Sequence, residues 1–95
     1  MSLEDLVTKY IASAEHALGT IKMADMNHDQ DNVIKIIESA KAYLADAKYY
    51  RNQQKFEVSL TSVAYCEGLL DALRLLGAVK FEWPTTGRKE REKKS

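Results

Sequence analysis

Two carboxylates and a set of tyrosines are the residues in this chain whose types and spacing could do chemistry. Asp46 lies within Tyr43-Leu44-Ala45-Asp46-Ala47-Lys48-Tyr49-Tyr50, and Asp71 within Val63-Ala64-Tyr65-Cys66-Glu67-Gly68-Leu69-Leu70-Asp71-Ala72. At helical spacing Asp46 shares a face with Tyr43, Tyr49 and Tyr50, while Asp71 follows Ala64 and Gly68 on a face where backbones can approach closely. If the two helices fold into a hairpin, Asp46, Tyr50, Tyr65 and Asp71 form a candidate interhelical polar site, suited to general acid–base work or to a cation. A structural reading uses the same residues more cheaply. Asp46 accepts a hydrogen bond from a tyrosine hydroxyl and Asp71 pairs with Arg74 three residues on, because a buried carboxylate needs a partner whether or not it does chemistry. The structural reading is preferred, and no catalytic residue is assigned.

Other constellations fall short of a site. Asp25-Met26-Asn27-His28-Asp29-Gln30-Asp31 has oxygens at calcium-loop spacing, but Gln30 stands where the sharp turn needs Gly and Ile36 where a bidentate Glu is required. A connector rich in helix caps accounts for it. His16 and His28 are the only histidines and Cys66 the only cysteine, with no spacing that would bind zinc, so neither metal nor cofactor is expected. No general base neighbours Cys66 in sequence, and the four glycines are too scattered for a phosphate loop.

Three amphipathic segments must position these residues. Leu3, Leu6, Val7, Tyr10, Ile11, Ala14, Ala17, Leu18 and Ile21 form a stripe that predicts a helix over about 3–26, with Ser2 and Asp5 as a capping box. Val33, Ile36, Ile37, Ala40, Tyr43, Leu44, Ala47 and Tyr50 predict a second helix over about 31–53. The third, about 55–77, ends at Gly77 as its C′ residue, with Pro84 beyond. Short connectors then give an all-α, up-down-up antiparallel three-helix bundle over 1–87, followed by a disordered basic tail over 88–95. Lys80–Trp83 is read as an extended segment or a turn folded back on the bundle end.

Helix three carries surplus apolar surface. Val58, Thr61, Tyr65, Leu69, Ala72 and Leu76 make one stripe, and Leu60, Ala64, Gly68, Asp71 and Leu75 another, with Val63, Leu70 and Leu73 adding more. Either this helix is central or its outer face meets a partner. A homodimer, or another protein partner, bound through Leu60, Val63, Leu70 and Leu73 is the reading adopted, since a core this small gains from a second subunit.

Charge narrows the partners. Residues 1–87 carry 9 basic and 12 acidic side chains, net −3, while Arg88, Lys89, Arg91, Lys93 and Lys94 against Glu90 and Glu92 give the tail +3. An acidic body argues against a dedicated nucleic-acid binder, although the five basic tail residues, together with Lys48, Arg51 or Lys55 near the hairpin turn, define a nucleotide- or RNA-binding alternative. No apolar run spans a bilayer, and a lone cysteine without a secretion signal suits the cytoplasm.

The pattern Tyr43-Leu44-x-Asp46-Ala47-x-Tyr49-Tyr50, Phe56, then Val63-Ala64-Tyr65-x-x-Gly68-Leu69-Leu70-Asp71-Ala72 and Leu75-Leu76-Gly77 resembles the archaeal domain of unknown function 357 family. The resemblance covers about residues 5–80. It implies an archaeal cytoplasmic protein with a compact three-helix domain and no established activity, and it transfers no catalytic residue. The family commonly has a glycine in the turn between its last two helices, where this chain has Asn52-Gln53-Gln54. The expected function is a non-catalytic protein-interaction or oligomerisation module.

Overall fold

The computed structural model describes residues 1–24 and 29–83. Three helices, α1 (Leu3–Thr20), α2 (Gln30–Asn52) and α3 (Phe56–Leu75), pack as a three-helix bundle, and two short strands, β1 (Lys22–Met23) and β2 (Val79–Lys80), pair antiparallel at one end. The expected tail over 88–95 lies outside the described residues, as does the 25–28 part of the polar connector whose sequence fails as a calcium loop.

Helices α1 and α2 start as their sequences dictate. The Asp5 amide donates to Ser2 Oγ at 3.1 Å, and the acids Glu4 and Asp5 face the positive end of α1. Asp29 caps α2 by accepting from the amides of Asp31 and Asn32 and from the Asn32 side chain. Helix α1 stops at Thr20 rather than near residue 26. Gly19 and the β-branched Thr20, whose hydroxyl donates to the Ala17 carbonyl, weaken its last turn, and Ile21 is already extended. The chain then pairs with β2, and the Ala24 amide donates to the Ala78 carbonyl. A strand partner more than fifty residues away overrides the local helical pattern.

Helices α2 and α3 end in the same device. In α3 the Ala78 amide donates to Leu73 and the Gly77 amide to Arg74, with Gly77 at φ 77°. In α2 the Lys55 amide donates to Tyr50 and the Gln54 amide to Arg51, with Gln54 at φ 61°. Both are Schellman motifs, and only the first has the glycine that such a φ favours. Gln54 adopts the left-handed conformation despite its Cβ.

The core follows heptad spacing along the hairpin. Val33, Ile37, Ala40, Leu44 and Ala47 of α2 are buried, as are Ser59, Val63, Cys66, Leu70 and Leu73 of α3. The Ser59 hydroxyl donates to the Ala47 carbonyl at 2.6 Å, and the Tyr43 and Tyr65 rings stack at 4.4 Å. These two links fix a register in which Ala47 is level with Ser59, Leu44 with Val63, Ala40 with Cys66, Ile37 with Leu70 and Val33 with Leu73. Val7, Ile11, Ala14 and Ala17 of α1 close the main cluster, and Ala78 and Val79 join Leu73 in a second one under the strands.

This register corrects the assignment of faces on α3. Val63, Leu70 and Leu73, proposed above as an outer interface, lie in the core at no more than 2 % exposure, and Leu60 is half-buried against it. Residues of the other stripe are turned out instead, with Val58, Tyr65 and Leu76 all exposed. Periodicity could not choose between them because α3 is apolar nearly all round. The small residues of α2 decide: Ala40 and Ala47 admit Cys66 and Ser59 closely, where the bulk of Tyr65 and Leu76 would not fit. Helix α3 is also central, packing against both other helices, and this alone absorbs much of its surplus apolar surface.

Ser59→Ala should cost about 1 kcal/mol, since it removes the buried hydroxyl bond between the helices, and urea denaturation measures it. Gln54→Gly should stabilise by about 0.5–1 kcal/mol, and Gly77→Ala destabilise by about 1 kcal/mol, in thermal unfolding. Equal effects of the two turn substitutions would contradict the left-handed assignment at Gln54.

Candidate functional site

The carboxylates proposed as a pair are apart. With residues 47 and 59 level along the hairpin, Asp71 is level with Lys35 of α2, eleven positions or about 16 Å of helix away from Asp46. Asp46 is exposed, and no hydrogen bond from a tyrosine reaches it among the described residues. Asp71 is half-buried, and its Oδ1 accepts from Trp83 Nε1 at 2.9 Å with Arg74 Nε at 3.6 Å. Its carboxylate therefore fastens the segment after β2 to α3. The Arg74 pairing expected from the sequence is present, while the Trp83 bond was invisible there because it depends on how β2 returns. Tyr50 is half-buried, edge-on to Tyr49 at 5.2 Å, and Tyr65 is exposed and stacked on Tyr43. The four residues Asp46, Tyr50, Tyr65 and Asp71 do not form one site.

Asp71 instead lines a groove of about 550 Å³ between α1 and α3, with Leu6, Tyr10, Leu60, Glu67 and Gly68 among its walls. A Cβ built at Gly68 meets nothing within 4 Å, so the close backbone approach expected there is absent. No group of three or more metal-ligating side chains occurs among the described residues.

Cys66 is fully buried. Burial, and secondarily the adjacent Glu67 carboxylate, push its thiol up from 9.0 to about 11. Such a thiol is protonated at neutral pH and packs against Ala40 as a small apolar group. Of the bases near the hairpin turn, Lys48 is paired with Glu15 of α1, Arg51 is half-buried and Lys55 is exposed. The pairing of Lys48 takes one of the three cations proposed for a nucleotide at that end.

The surface feature that stands out is apolar. Helix α1 covers one side of the α2–α3 hairpin, through the groove above and the Glu15–Lys48 pair. On the other side the positions flanking the heptad seam carry Tyr43 and Tyr50 from α2 and Val58, Tyr65, Leu69 and Leu76 from α3. Val58 is 45 %, Tyr65 55 % and Leu76 62 % exposed, too much for side chains held in a closed core. Asp46 is the single charged residue at these positions, in a chain that is 29 % charged overall. Helical wheels of α2 and α3 contain this face, but only the register separates it from the core.

The sequence model of the family described as Protein of unknown function (DUF357) matches residues 9–79, most of the chain, and spans all three helices. No curated protein and no solved structure matches. No described helix is long and apolar enough to cross a membrane.

Protonation of Cys66 links stability to pH. Its raised value means that the unfolded chain releases this proton first, so the thiol's contribution is complete below pH 9.0 and is lost as pH rises toward about 11. Urea denaturation across that range should show a steeper decline for the wild type than for Cys66→Ala. The native thiol should also resist alkylation until the protein unfolds.

Proposed function

We propose that this chain, which belongs to the DUF357 family, is a non-catalytic interaction module that associates through the exposed side of the α2–α3 hairpin. The observation that carries the reading is the nearly uncharged apolar face bearing Val58, Tyr65 and Leu76, on the side of the hairpin opposite α1. Contiguous apolar surface of this kind on a small soluble domain marks a contact site.

The occupant proposed is a second copy of the chain. From Val58 to Leu76 the face runs roughly 27 Å, and two helices make it about 20 Å wide. It can therefore bury about 500 Å² on each copy, or about 1,000 Å² in all, the lower bound for a specific interface. A two-fold pairing matches tyrosine and aliphatic surface with itself and brings one Asp46 per copy, so little like charge is opposed. The face differs from the Leu60, Val63, Leu70 and Leu73 surface expected at first, which is spent on the core. A cytoplasmic location belongs to the same reading, supported by the lone cysteine, which has no disulfide partner in the chain. The separation of Asp46 from Asp71 supports a role without catalysis by that pair.

Sedimentation at tens of micromolar should show a dimer. Val58→Asp should weaken it by about tenfold or more, with helical circular dichroism unchanged, because Val58 is exposed and an acid suits the first turn of α3. A monomeric wild type at that concentration, or a Val58→Asp dimer as tight as the wild type, would remove this proposal.

A further inference from the structure

The two strands close the end of the bundle opposite the α2–α3 turn, and their register sets Lys22 directly across from Lys80. Like charges facing each other in a ladder oppose the pairing. Both lysines are exposed, and both line a cleft of about 950 Å³ that also takes Arg74 from α3 and Phe81 after β2. Gly19 and Gly77 form two more of its walls, with open space where their Cβ atoms would stand, so a ligand can approach the backbone there. Among the described lining residues Glu82 is the single acid, so these carry a net +2, with Arg74 also paired to Asp71 just outside the lining. Three of the nine basic residues of an otherwise acidic 1–87 thus meet at one place.

Two of these cations have an ordinary explanation. Arg74 lies in the last turn of α3 and Lys22 just beyond α1, where the helix dipole favours positive charge. Lys80 opposite Lys22 does not follow from it, because the carbonyls ending α3 are already taken by the amides of Gly77 and Ala78. Chemistry that suits two adjacent ammonium groups with a guanidinium beside them is a phosphate chain, and a half-buried aromatic ring in the same cleft suits a planar base.

We propose that the Lys22–Lys80–Arg74 cleft binds a phosphorylated small molecule of nucleotide type, its phosphates on the two lysines and Arg74 and its base against Phe81. The site is a discrete cleft rather than a basic track, which favours a mononucleotide over a nucleic-acid strand. It moves nucleotide binding away from Lys48, Arg51 and Lys55 to the other end of the molecule. It is independent of the association face, which lies along the hairpin.

The test is titration of the full chain with ATP, inorganic pyrophosphate and a short single-stranded RNA, followed by amide chemical shifts and calorimetry. ATP should shift the amides of Gly19, Lys22, Gly77, Lys80 and Phe81. Pyrophosphate should bind at the same amides more weakly, and RNA no more tightly than ATP. Lys22→Glu separates a binding role from dipole compensation, since it replaces the opposed lysines by an ion pair across the ladder. It should raise the melting temperature in the absence of ligand while weakening ATP at least about tenfold. Lys35→Ala, on an exposed position of α2, should leave both unchanged. Absence of shifts at these amides at millimolar ATP, unchanged ATP affinity in Lys22→Glu, or a Lys22→Glu protein that is less stable than the wild type would each overturn the proposal. Tighter binding of RNA than of ATP would overturn it in favour of a nucleic-acid surface.

Discussion

The rest of the structure depends on how closely α2 and α3 approach. Ala40 and Ala47 on one side, with Cys66 and Ser59 on the other, leave room for the helices to come near enough that a serine hydroxyl reaches a backbone carbonyl of the neighbouring helix at 2.6 Å. Small side chains contribute little burial of their own, but they let larger neighbours such as Leu44, Val63 and Leu70 pack in one buried cluster. They also settle which way α3 is turned about its axis. Once Ser59 is inward, a helix apolar nearly all round must present Val58, Tyr65 and Leu76 to the outside. The association face is therefore a consequence of the core.

The opposite end of the molecule is held by a different set of interactions. The Schellman motif at Gly77 reverses the chain after α3, Ala78 and Val79 cover the lower core, and the two-residue ladder ties β2 to the segment after α1. Phe81 and Trp83 pack edge to face at 5.0 Å, and the Trp83 indole is anchored on Asp71. Together these links place Lys22, Lys80 and Arg74 around one cleft. Asp71, one of the two carboxylates considered for chemistry, is engaged in building this end, where Lys22, Lys80, Arg74 and Glu82 are exposed.

How much was legible varied with the distance over which each feature is determined. The three helices, the cap at Ser2 and the C′ glycine at 77 follow from residues within a turn of each other and stand where the pattern put them, and the connector rich in caps supplies Asp29 to α2. The end of α1 does not, because pairing of Lys22–Met23 with Val79–Lys80 competes with the helix and is encoded elsewhere in the chain. The proposed polar site failed for a related reason. Asp46 and Asp71 both lie on a helical hairpin, but convergence needs equal distance from the turn, and the register puts them about 16 Å out of step.

The sequence by itself determined the all-α class, the number and order of helices and membership of the DUF357 family, since apolar periodicity and capping chemistry are local properties and the family match rests on residue order alone. Only the tertiary structure decided which face of α3 is buried, what Asp71 binds and where the lysines meet. Each of these is a choice among surfaces of similar hydrophobicity or charge. Steric fit between α2 and α3 and the return of β2 make that choice, through contacts between residues that no local pattern relates.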